Sequence, residues 1–508
     1  MIKRTKQVDE GAQLERLGHY IDGEHVNKDG RVGDIFNPST GTVIKQVVMA
    51  DLETIDKAVI AAKEAFQLWQ KFSAIDRAGI MFQFKGLLEQ HHDQIIRLIT
   101  EEHGKVLDDA RGEFNRGLEI IEYACGAPEL LKGEHSKNVG GNIDSWSEFH
   151  PLGVVLGITP FNFPVMVPMW MYPMALVCGN TFILKPSEKD PGVSLYIADL
   201  LKQAGLPDGV FNIINGDKET VEYLLVDERI SAVSFVGSTK VAEYIYKISN
   251  RYNKRVQALG GAKNHAVVMP DADMENVVKS LIGAAYGSCG ERCMAISVVV
   301  CVGDDIADTL VQRLSHEISN FKIGEGTNSK NHLGPLITNA HRQRVIEFID
   351  TGVDEGASLV VDGRTFDAPD CRQGFFLGCS LFDHVRPEMQ ICQEEIFGPV
   401  LCVVRSNSFE EAIQIINQNS YGNGACIFTH DGGLSRHFSD NVNVGMVGVN
   451  VSLPVPVACH SFGGWKRSLF GDLSIYGPDS VRFYTRRKTV SQRWPSDSVD
   501  KAQFSFPS

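Results

Sequence analysis

The sequence predicts an α/β protein built from more than one domain. From residue 154 onward, short apolar runs alternate with helix-like stretches, which is typical of βαβ units and a parallel sheet covered on both faces. The chain has 508 residues, more than one hydrophobic core usually supports. We therefore expect two α/β domains, together with segments that fit neither of them.

The first part of the chain favours helices. Five apolar positions recur at spacings of four and three and mark one face of an amphipathic helix: Ile55, Val59, Ala62, Phe66 and Trp69. Helical patterns continue to about residue 124. Five apolar runs then predict strands: 154–158, 181–184, 210–214, 232–236 and 266–269. A second strand-and-helix region begins near residue 271 and continues to about residue 451.

Two segments, 131–150 and 481–496, show β-like patterns outside both domains. Two such strands could pair with each other and extend a neighbouring subunit's sheet, because unpaired sheet edges are natural docking sites. An ordinary surface hairpin is the alternative. We expect a homo-oligomer, either a dimer or a tetramer.

Composition excludes several classes of partner. The formal charge is −14 at pH 7, and no basic block is longer than 486–488, so the surface should repel nucleic acid and anionic lipid. No uninterrupted apolar run is long enough for a membrane span, and the basic N-terminus lacks the apolar core of a secretory signal. Eleven cysteines without a CxxC pair suggest neither a disulfide scaffold nor a metal site. We expect a small-molecule partner and a cytoplasmic location, or the mitochondrial matrix in a eukaryote.

Cys293 is a candidate nucleophile. It follows Gly290, stands beside Arg292 and precedes an apolar strand. A nucleophilic cysteine must be a thiolate, and a neighbouring cation lowers its pKa. The local sequence alone still favours a buried structural cysteine.

Five motifs change that balance, because together they resemble the aldehyde dehydrogenase superfamily in order and spacing. They are 157–164, 179–188, 235–239, 290–293 and 394–399. The similarity covers nearly the whole chain and implies the aldehyde dehydrogenase fold. Its parts would be a Rossmann-like NAD-binding domain (13–130 and 151–260), an α/β catalytic domain (261–465) and a small β oligomerisation element (131–150 and 481–496).

The resemblance implies a role for each matching residue. Cys293 would attack the aldehyde carbon, and the side-chain amide of Asn162 would stabilise the resulting oxyanion together with the Cys293 N–H. Glu188 would bind a ribose hydroxyl and disfavour NADP, although a solvated residue at a helix start is the alternative. The residues implied to bind NAD are Thr159, Phe161, Lys185, Glu188, Lys189, Gly237, Ser238, Glu395 and Phe397.

One departure from the family's motifs narrows the range of reactions that we expect. Hydrolytic members of the family have a glutamate that activates water, but that position falls here on Leu259 or Ala258, and neither can act as a base. Segments 261–265, 290–295 and 470–473 resemble the methylmalonate-semialdehyde dehydrogenase family, whose members transfer the acyl group to coenzyme A. Arg116 and Arg292 match that family's carboxylate-binding pair, and a surface helix charge is the alternative for Arg116.

The expected products are propionyl-CoA or acetyl-CoA, formed with loss of carbon dioxide, and the resemblance implies a place in valine catabolism. A hydrolytic enzyme with Glu394 or Asp472 as its base is the nearest alternative. A dehydrogenase without covalent catalysis and a catalytically silent NAD-binding protein are more remote.

Overall fold

The computed structural model describes residues 14–367 and 372–494, so residues 13, 368–371, 495 and 496 of the predicted domains lie outside it. The strands are β1 (Glu15–Leu17), β2 (His19–Ile21), β3 (Glu24–Val26), β4 (Val32–Asn37), β5 (Thr42–Val48), β6 (His135–Gly140), β7 (Ile143–Pro151), β8 (Val154–Ile158), β9 (Thr181–Lys185), β10 (Phe211–Ile213), β11 (Ile230–Val236), β12 (Arg255–Leu259), β13 (Asn264–Val268), β14 (Ile296–Val302), β15 (Ser358–Val361), β16 (Ser380–Asp383), β17 (Val400–Ser406), β18 (Tyr421–Gly422), β19 (Gly424–Phe428), β20 (Met446–Val449), β21 (Trp465–Lys466), β22 (Leu469–Phe470) and β23 (Thr485–Arg493).

The α-helices are α1 (Leu52–Trp69), α2 (Ala74–Gln90), α3 (His92–His103), α4 (Leu107–Cys125), α5 (Ala127–Leu130), α6 (Met166–Val177), α7 (Gly192–Gln203), α8 (Lys218–Val226), α9 (Thr239–Arg251), α10 (Met274–Tyr286), α11 (Asp304–Ser319), α12 (Asn339–Asp354), α13 (Gln390–Gln393), α14 (Phe409–Gln418), α15 (Gly432–Asn441) and α16 (Pro478–Tyr484). None of these helices is both long and apolar enough to cross a membrane.

The first large sheet has eight strands in the order β22-β12-β11-β8-β9-β10-β2-β3. Its five central strands, from β12 to β10, are parallel. Buried apolar residues on both faces pack against helices, with α6 buried along its whole length. Four of the predicted runs therefore form strands of this sheet, as parallel sheets covered on both faces require.

The second large sheet has seven strands in the order β15-β16-β17-β14-β13-β19-β20. All neighbouring strands are parallel except β15 and β16. The predicted run 266–269 belongs here as β13, with separate apolar cores on the two faces of the sheet. Residues 260–263 lead directly from β12 of the first sheet to β13 of the second.

A three-stranded antiparallel sheet, in the order β23-β7-β6, contains parts of both segments that were predicted to lie outside the domains. The prediction of a strand was wrong for 481–484, which form the end of helix α16. Pro478 stands at the start of this helix, and the side chains of Val481, Phe483 and Tyr484 are buried in the core. A helix can bury such a run on one side, whereas an exposed strand cannot.

The helical expectation for the start of the chain was incomplete. Strands β1, β4 and β5 form a small sheet, and β2 and β3 extend the edge of the first large sheet. Strands β1 to β3 are three residues long, too short for an alternating pattern to stand out in the sequence.

Candidate active site

A cavity of about 620 Å³ opens at the carboxyl ends of β8, β11 and β12, where loops of the second sheet approach the first. Ligands of open α/β sheets commonly bind at this end of the strands. Eight predicted site residues line the cavity: Phe161, Asn162, Lys189, Gly237, Ser238, Cys293, Glu395 and Phe397. The sequence separations among them are large, so the fold brings them together.

The loop before Cys293 has an unusual backbone. Ser288, Cys289 and Gly290 all have positive φ angles, of 52°, 54° and 75°. Asp109 of α4 accepts a hydrogen bond from the Ser288 N–H at 2.9 Å. A Cβ atom on Gly290 would lie 2.2 Å from the carbonyl oxygen of Gly398, so this close approach requires glycine.

Two asparagines fix the backbone at Cys293. The Nδ2 groups of Asn264 and Asn423 donate to the Cys293 carbonyl at 2.9 and 3.2 Å. Asn264 also donates to the carbonyl of Ala295, at 3.0 Å. The turn that presents the sulfur is therefore held from the side of the second sheet.

The thiol of Cys293 is protonated in the free protein near neutral pH. Burial above all, and next the negative charge of Glu395, raise its pKa to about 12. The N–H groups of Cys293 and Met294 and the charge of Arg292 lower the pKa by less. The sequence argument that the neighbouring arginine would activate the thiol is thus outweighed by burial.

Asn162 is buried at the cavity wall with its side chain fixed in one orientation. Its Nδ2 donates to the main-chain carbonyl of Glu291 at 3.0 Å. An amide nitrogen carries two N–H groups, so a second donor remains. This arrangement can place a hydrogen bond on an oxyanion formed at Cys293.

The cavity also contains an aromatic and cationic surface. The ammonium group of Lys189 lies 4.6 Å from the centre of the Phe161 ring. The Phe161 and Phe397 rings meet edge to face at 6.0 Å, and His341 contacts both rings. Such a surface suits a flat heteroaromatic ring.

Gly237 and Ser238 lie at the N-terminus of α9, where helix N–H groups favour an anion. Ser238 is the N-cap residue and its side chain does not cap the helix. A Cβ atom on Gly237 would lie 2.5 Å from the ring of Phe235, so a side chain at position 237 would collide with that ring.

Three predicted cofactor residues, Thr159, Lys185 and Glu188, lie next to the cavity but outside its lining. The Thr159 N–H donates to the Lys185 carbonyl at 3.1 Å, which joins the ends of β8 and β9. The Lys185 ammonium bonds to Glu188 at 3.1 Å. Burial alone would raise the pKa of Glu188, but Lys185, a backbone hydrogen bond and the charge of Lys189 together more than offset this, so the pKa is lowered and the carboxylate is charged.

Glu395 is directed toward the segment that joins the two sheets. Its carboxylate accepts a hydrogen bond from the Ala262 N–H at 2.9 Å, and a Cβ atom on Gly261 would lie 2.3 Å from it. Burial raises the pKa of Glu395 to about 7. This carboxylate can therefore exist in both protonation states near neutral pH.

The two predicted carboxylate-binding arginines lie outside the lining of the large cavity and are both paired with acids of α4. Arg292 forms an ion pair with Asp109 and lines a smaller cavity of about 20 Å³ together with Cys293. Arg116 forms an ion pair with Glu119 at 2.9 Å. Burial raises the pKa of Tyr476, and the charge of Arg116 partly offsets this.

No carboxylate stands at the position of the hydrolytic glutamate. Ala258 and Leu259 are buried in strand β12, and Gly260 and Gly261 form the adjoining cavity wall. Of the two alternative bases, Glu394 lines the cavity, whereas Asp472 is exposed and lies outside its lining.

Sequence reasoning missed several polar residues around the site. Lys105, which lies between α3 and α4, and Asp109 and Glu113 of α4 contact the loops of Asn162 and Cys293. Glu291 is fully buried, and burial raises its pKa to about 8. No sequence motif indicates a role for Lys105, Asp109 or Glu113. For Glu291 the only signal in the sequence is its place in the loop before Cys293.

Comparison with known proteins agrees with this geometry. Residues 25–490 match the model of the aldehyde dehydrogenase family. The malonate-semialdehyde dehydrogenase of Pseudomonas aeruginosa is 62% identical over 493 residues, covering 97% of this chain and 99% of that protein.

Two solved structures are also similar. The methylmalonate-semialdehyde dehydrogenase of Oceanimonas doudoroffii has a TM-score of 0.94 and 60% identity, covering 95% of this chain and 99% of that one. A Sinorhizobium meliloti protein, assigned as methylmalonate-semialdehyde dehydrogenase and solved with NAD, has a TM-score of 0.95 and 48% identity, covering 96% of this chain and 100% of that one.

Proposed function

Because the chain belongs to the aldehyde dehydrogenase family, we propose that it oxidises malonate semialdehyde or methylmalonate semialdehyde with NAD and forms an acyl-CoA. One observation above all supports this function. A single cavity joins the Cys293 thiol and the Asn162 amide to an NAD-compatible groove, while its wall at 260–261 carries no side chain that could activate water.

The first half of the reaction uses Cys293 and Asn162. The Cys293 sulfur, once deprotonated, attacks the aldehyde carbon, and the carbonyl oxygen becomes an oxyanion. The free N–H of Asn162 and the Cys293 N–H stabilise this charge. When bound, NAD supplies the hydride acceptor, and collapse of the oxyanion leaves an acyl thioester on the sulfur.

The residues present fit NAD. The N-terminus of α9, with Gly237 and no side-chain cap, offers N–H groups to a pyrophosphate. The Lys185–Glu188 pair would hold the adenosine ribose, and the charged Glu188 would repel a 2′-phosphate. The proposed set is completed by Thr159, Phe161, Lys189, Ser238, Glu395 and Phe397.

Coenzyme A is the proposed acyl acceptor. A thioester without an activated water persists until a stronger nucleophile arrives, and a thiolate is such a nucleophile. The β-carboxylate of a malonyl-type thioester can first leave as carbon dioxide, because the thioester carbonyl accepts the electron pair as an enolate. Protonation of that enolate and attack by coenzyme A then give acetyl-CoA or propionyl-CoA and free Cys293.

Arg116 and Arg292 are proposed to bind the substrate carboxylate. Arginine suits this task because its planar fork can donate two parallel hydrogen bonds. The Arg292 guanidinium donates hydrogen bonds to Asp109 and to the Gly283 carbonyl, and its other N–H groups remain available to a ligand. A substrate carboxylate would share this arginine with Asp109.

A homo-oligomer is also proposed, and its interface would include the sheet of β6, β7 and β23. Both β6 and β23 are edge strands of this sheet and are largely exposed. An unpaired edge of this kind can join a second copy of the chain. Light scattering of the purified protein would test this: a dimer or a tetramer is expected, and a monomer would contradict it.

The deciding experiment measures NADH formation from malonate semialdehyde with NAD, with and without coenzyme A, and identifies the product by mass spectrometry. Dependence on coenzyme A and formation of acetyl-CoA are expected. Equal turnover without coenzyme A, with a free acid as product, would support the hydrolytic alternative instead. Cys293→Ser should abolish turnover, whereas the matched control Cys289→Ser, a buried cysteine of the same loop, should retain it.

A further inference from the structure

Lys105 and Glu113 form a fully buried ion pair beside the candidate active site. The Lys105 Nζ lies 2.8 Å from Glu113 Oε2, and both side chains have 0% exposure. Lys105 follows α3 and Glu113 belongs to α4, so the pair is part of the N-terminal helical layer. Neither residue lines the large cavity.

The remaining side-chain hydrogen bonds of this pair, and the cation–π contact of Lys105, are directed at the segment 162–166. Lys105 Nζ donates to the main-chain carbonyl of Asn162 at 2.6 Å and lies 4.4 Å from the centre of the Phe163 ring. Glu113 Oε1 accepts hydrogen bonds from the N–H groups of Val165 and Met166 at 2.8 and 3.2 Å. The segment 162–166 is therefore held at both of its ends.

Stability alone does not account for such a pair. Removing two charges from water is costly, and replacing a buried ion pair by apolar residues of similar size is often neutral or stabilising. The hydrogen bonds of the pair are directional, whereas apolar contacts are not, so the pair restricts the position of the backbone that it binds.

Fixing the backbone of 162–166 also fixes the position of the Asn162 side chain. Its Nδ2 group has one N–H bonded to the Glu291 carbonyl, so a single N–H remains for an oxyanion. A shift of the backbone would move that N–H away from the sulfur of Cys293. Electrostatic stabilisation of this kind depends on donors that are already in place.

We infer that Lys105 and Glu113 are positioning residues, which hold Asn162 where it can donate to the oxyanion. This inference rests on the proposed function, in which Asn162 is that donor. Neither residue touches the substrate, so both act through the backbone of 162–166.

The test is a double-mutant cycle. Lys105→Met and Glu113→Gln are each made in the wild-type and in the Asn162→Ala protein, and hydride transfer is followed as NADH formation in a single turnover. Lys105→Met is expected to slow this step about 10- to 100-fold, since small misplacements of reacting groups have effects of that size. NAD affinity, measured by binding, should stay unchanged.

The cycle separates positioning from general structural damage. In the Asn162→Ala background, Lys105→Met should cause no further loss, because coupled residues are not additive. Full additivity of the two losses would overturn the inference while leaving the proposed function intact. An unchanged rate for Asn162→Ala alone would instead contradict the donor role of Asn162, and the inference with it.

One variant of the cycle and one control keep the test decisive. Glu113→Gln retains an amide oxygen that can accept from Val165 but replaces the oxygen that accepts from Lys105 by an NH2 group, so it breaks the ion pair from the other side and serves if Lys105→Met does not fold. The control is Arg405→Met with Asp383→Asn, which removes a mostly buried ion pair between β16 and β17. The control should lower the melting temperature without slowing hydride transfer.

Discussion

The side-chain Nδ2 of Asn162 lies 3.0 Å from the main-chain carbonyl oxygen of Glu291, two residues before the candidate nucleophile. The loop after β8 and the loop before β14 are therefore tied together at the point where the reaction would occur. Several expected outcomes depend on this contact and on its neighbours.

The first prediction concerns Asn162 itself. Asn162→Ala should reduce the rate of hydride transfer about 10²- to 10³-fold, the usual cost of losing one oxyanion donor. Single-turnover NADH formation measures this rate, and titration with NAD shows whether the cofactor still binds. A loss confined to NAD affinity would contradict the assigned role.

The second prediction concerns the protonation of Cys293. With a pKa of about 12 in the free protein, its reaction with iodoacetamide should accelerate about tenfold for each pH unit between pH 7 and 9, following the thiolate fraction. Glu395→Gln removes a nearby negative charge, which lowers the thiol pKa and should speed alkylation at pH 8. Glu394→Gln, at the exposed neighbouring position, should have a smaller effect. Equal rates in all three proteins would rule out this electrostatic link.

The third prediction concerns Arg292. Arg292→Gln should lower kcat/KM for malonate semialdehyde about 10- to 100-fold, as expected from the loss of hydrogen bonds to a charged group. Propanal, which has no carboxylate, should be affected much less, and this comparison separates substrate binding from damage to the loop. Arg111→Gln, at an exposed arginine of α4, is the matched control. Equal losses with both aldehydes would assign Arg292 to the loop alone.

The fourth prediction concerns the buried acid Glu291, whose pKa burial raises to about 8. A carboxyl group with a raised pKa stabilises the folded state below its unfolded pKa, and this contribution is lost as the pH rises toward the folded value. Glu291→Gln keeps an acceptor for the Ile337 N–H but does not ionise. The unfolded chain ionises at this position while the folded protein keeps the proton, so the variant should gain stability relative to the wild type as the pH rises from 5 to 8, by at most about 1.4 kcal/mol for each pH unit.

Urea denaturation at the two pH values measures this difference. Glu347→Gln, at an exposed position of α12, should show no such dependence on pH. A constant difference between the Glu291→Gln variant and the wild type across this range would mean that Glu291 is already ionised in the folded protein at pH 5, so that its pKa is not raised.

The sequence predicted the sheets better than the ends of the chain. Apolar runs of four or five residues marked β8, β9, β11 and β13, because strands buried on both faces leave a continuous apolar signal. The short strands β1 to β3 left no comparable signal. Helix α16 was mistaken for a strand, since a brief buried run looks the same in either conformation.

The candidate site was predicted to the extent that it consists of motifs. Phe161, Asn162, Cys293 and Glu395 each stand in a recognisable segment, and the fold brings them to one cavity. Lys105 and Glu113 look like ordinary helix-layer charges in the sequence. Their role depends on contacts across 52 to 57 positions of the chain, which arise only from tertiary packing.

The contacts of α4 limit which segments of the chain can be exchanged with those of another family member. Asp109 and Glu113 lie one turn apart on that helix, and one bonds the loop of Cys293 while the other bonds the loop of Asn162. A chimera that exchanged the first 130 residues for those of another family member would replace both attachments at once. Such an exchange would succeed only if the donor segment carried acids at the same two helical positions.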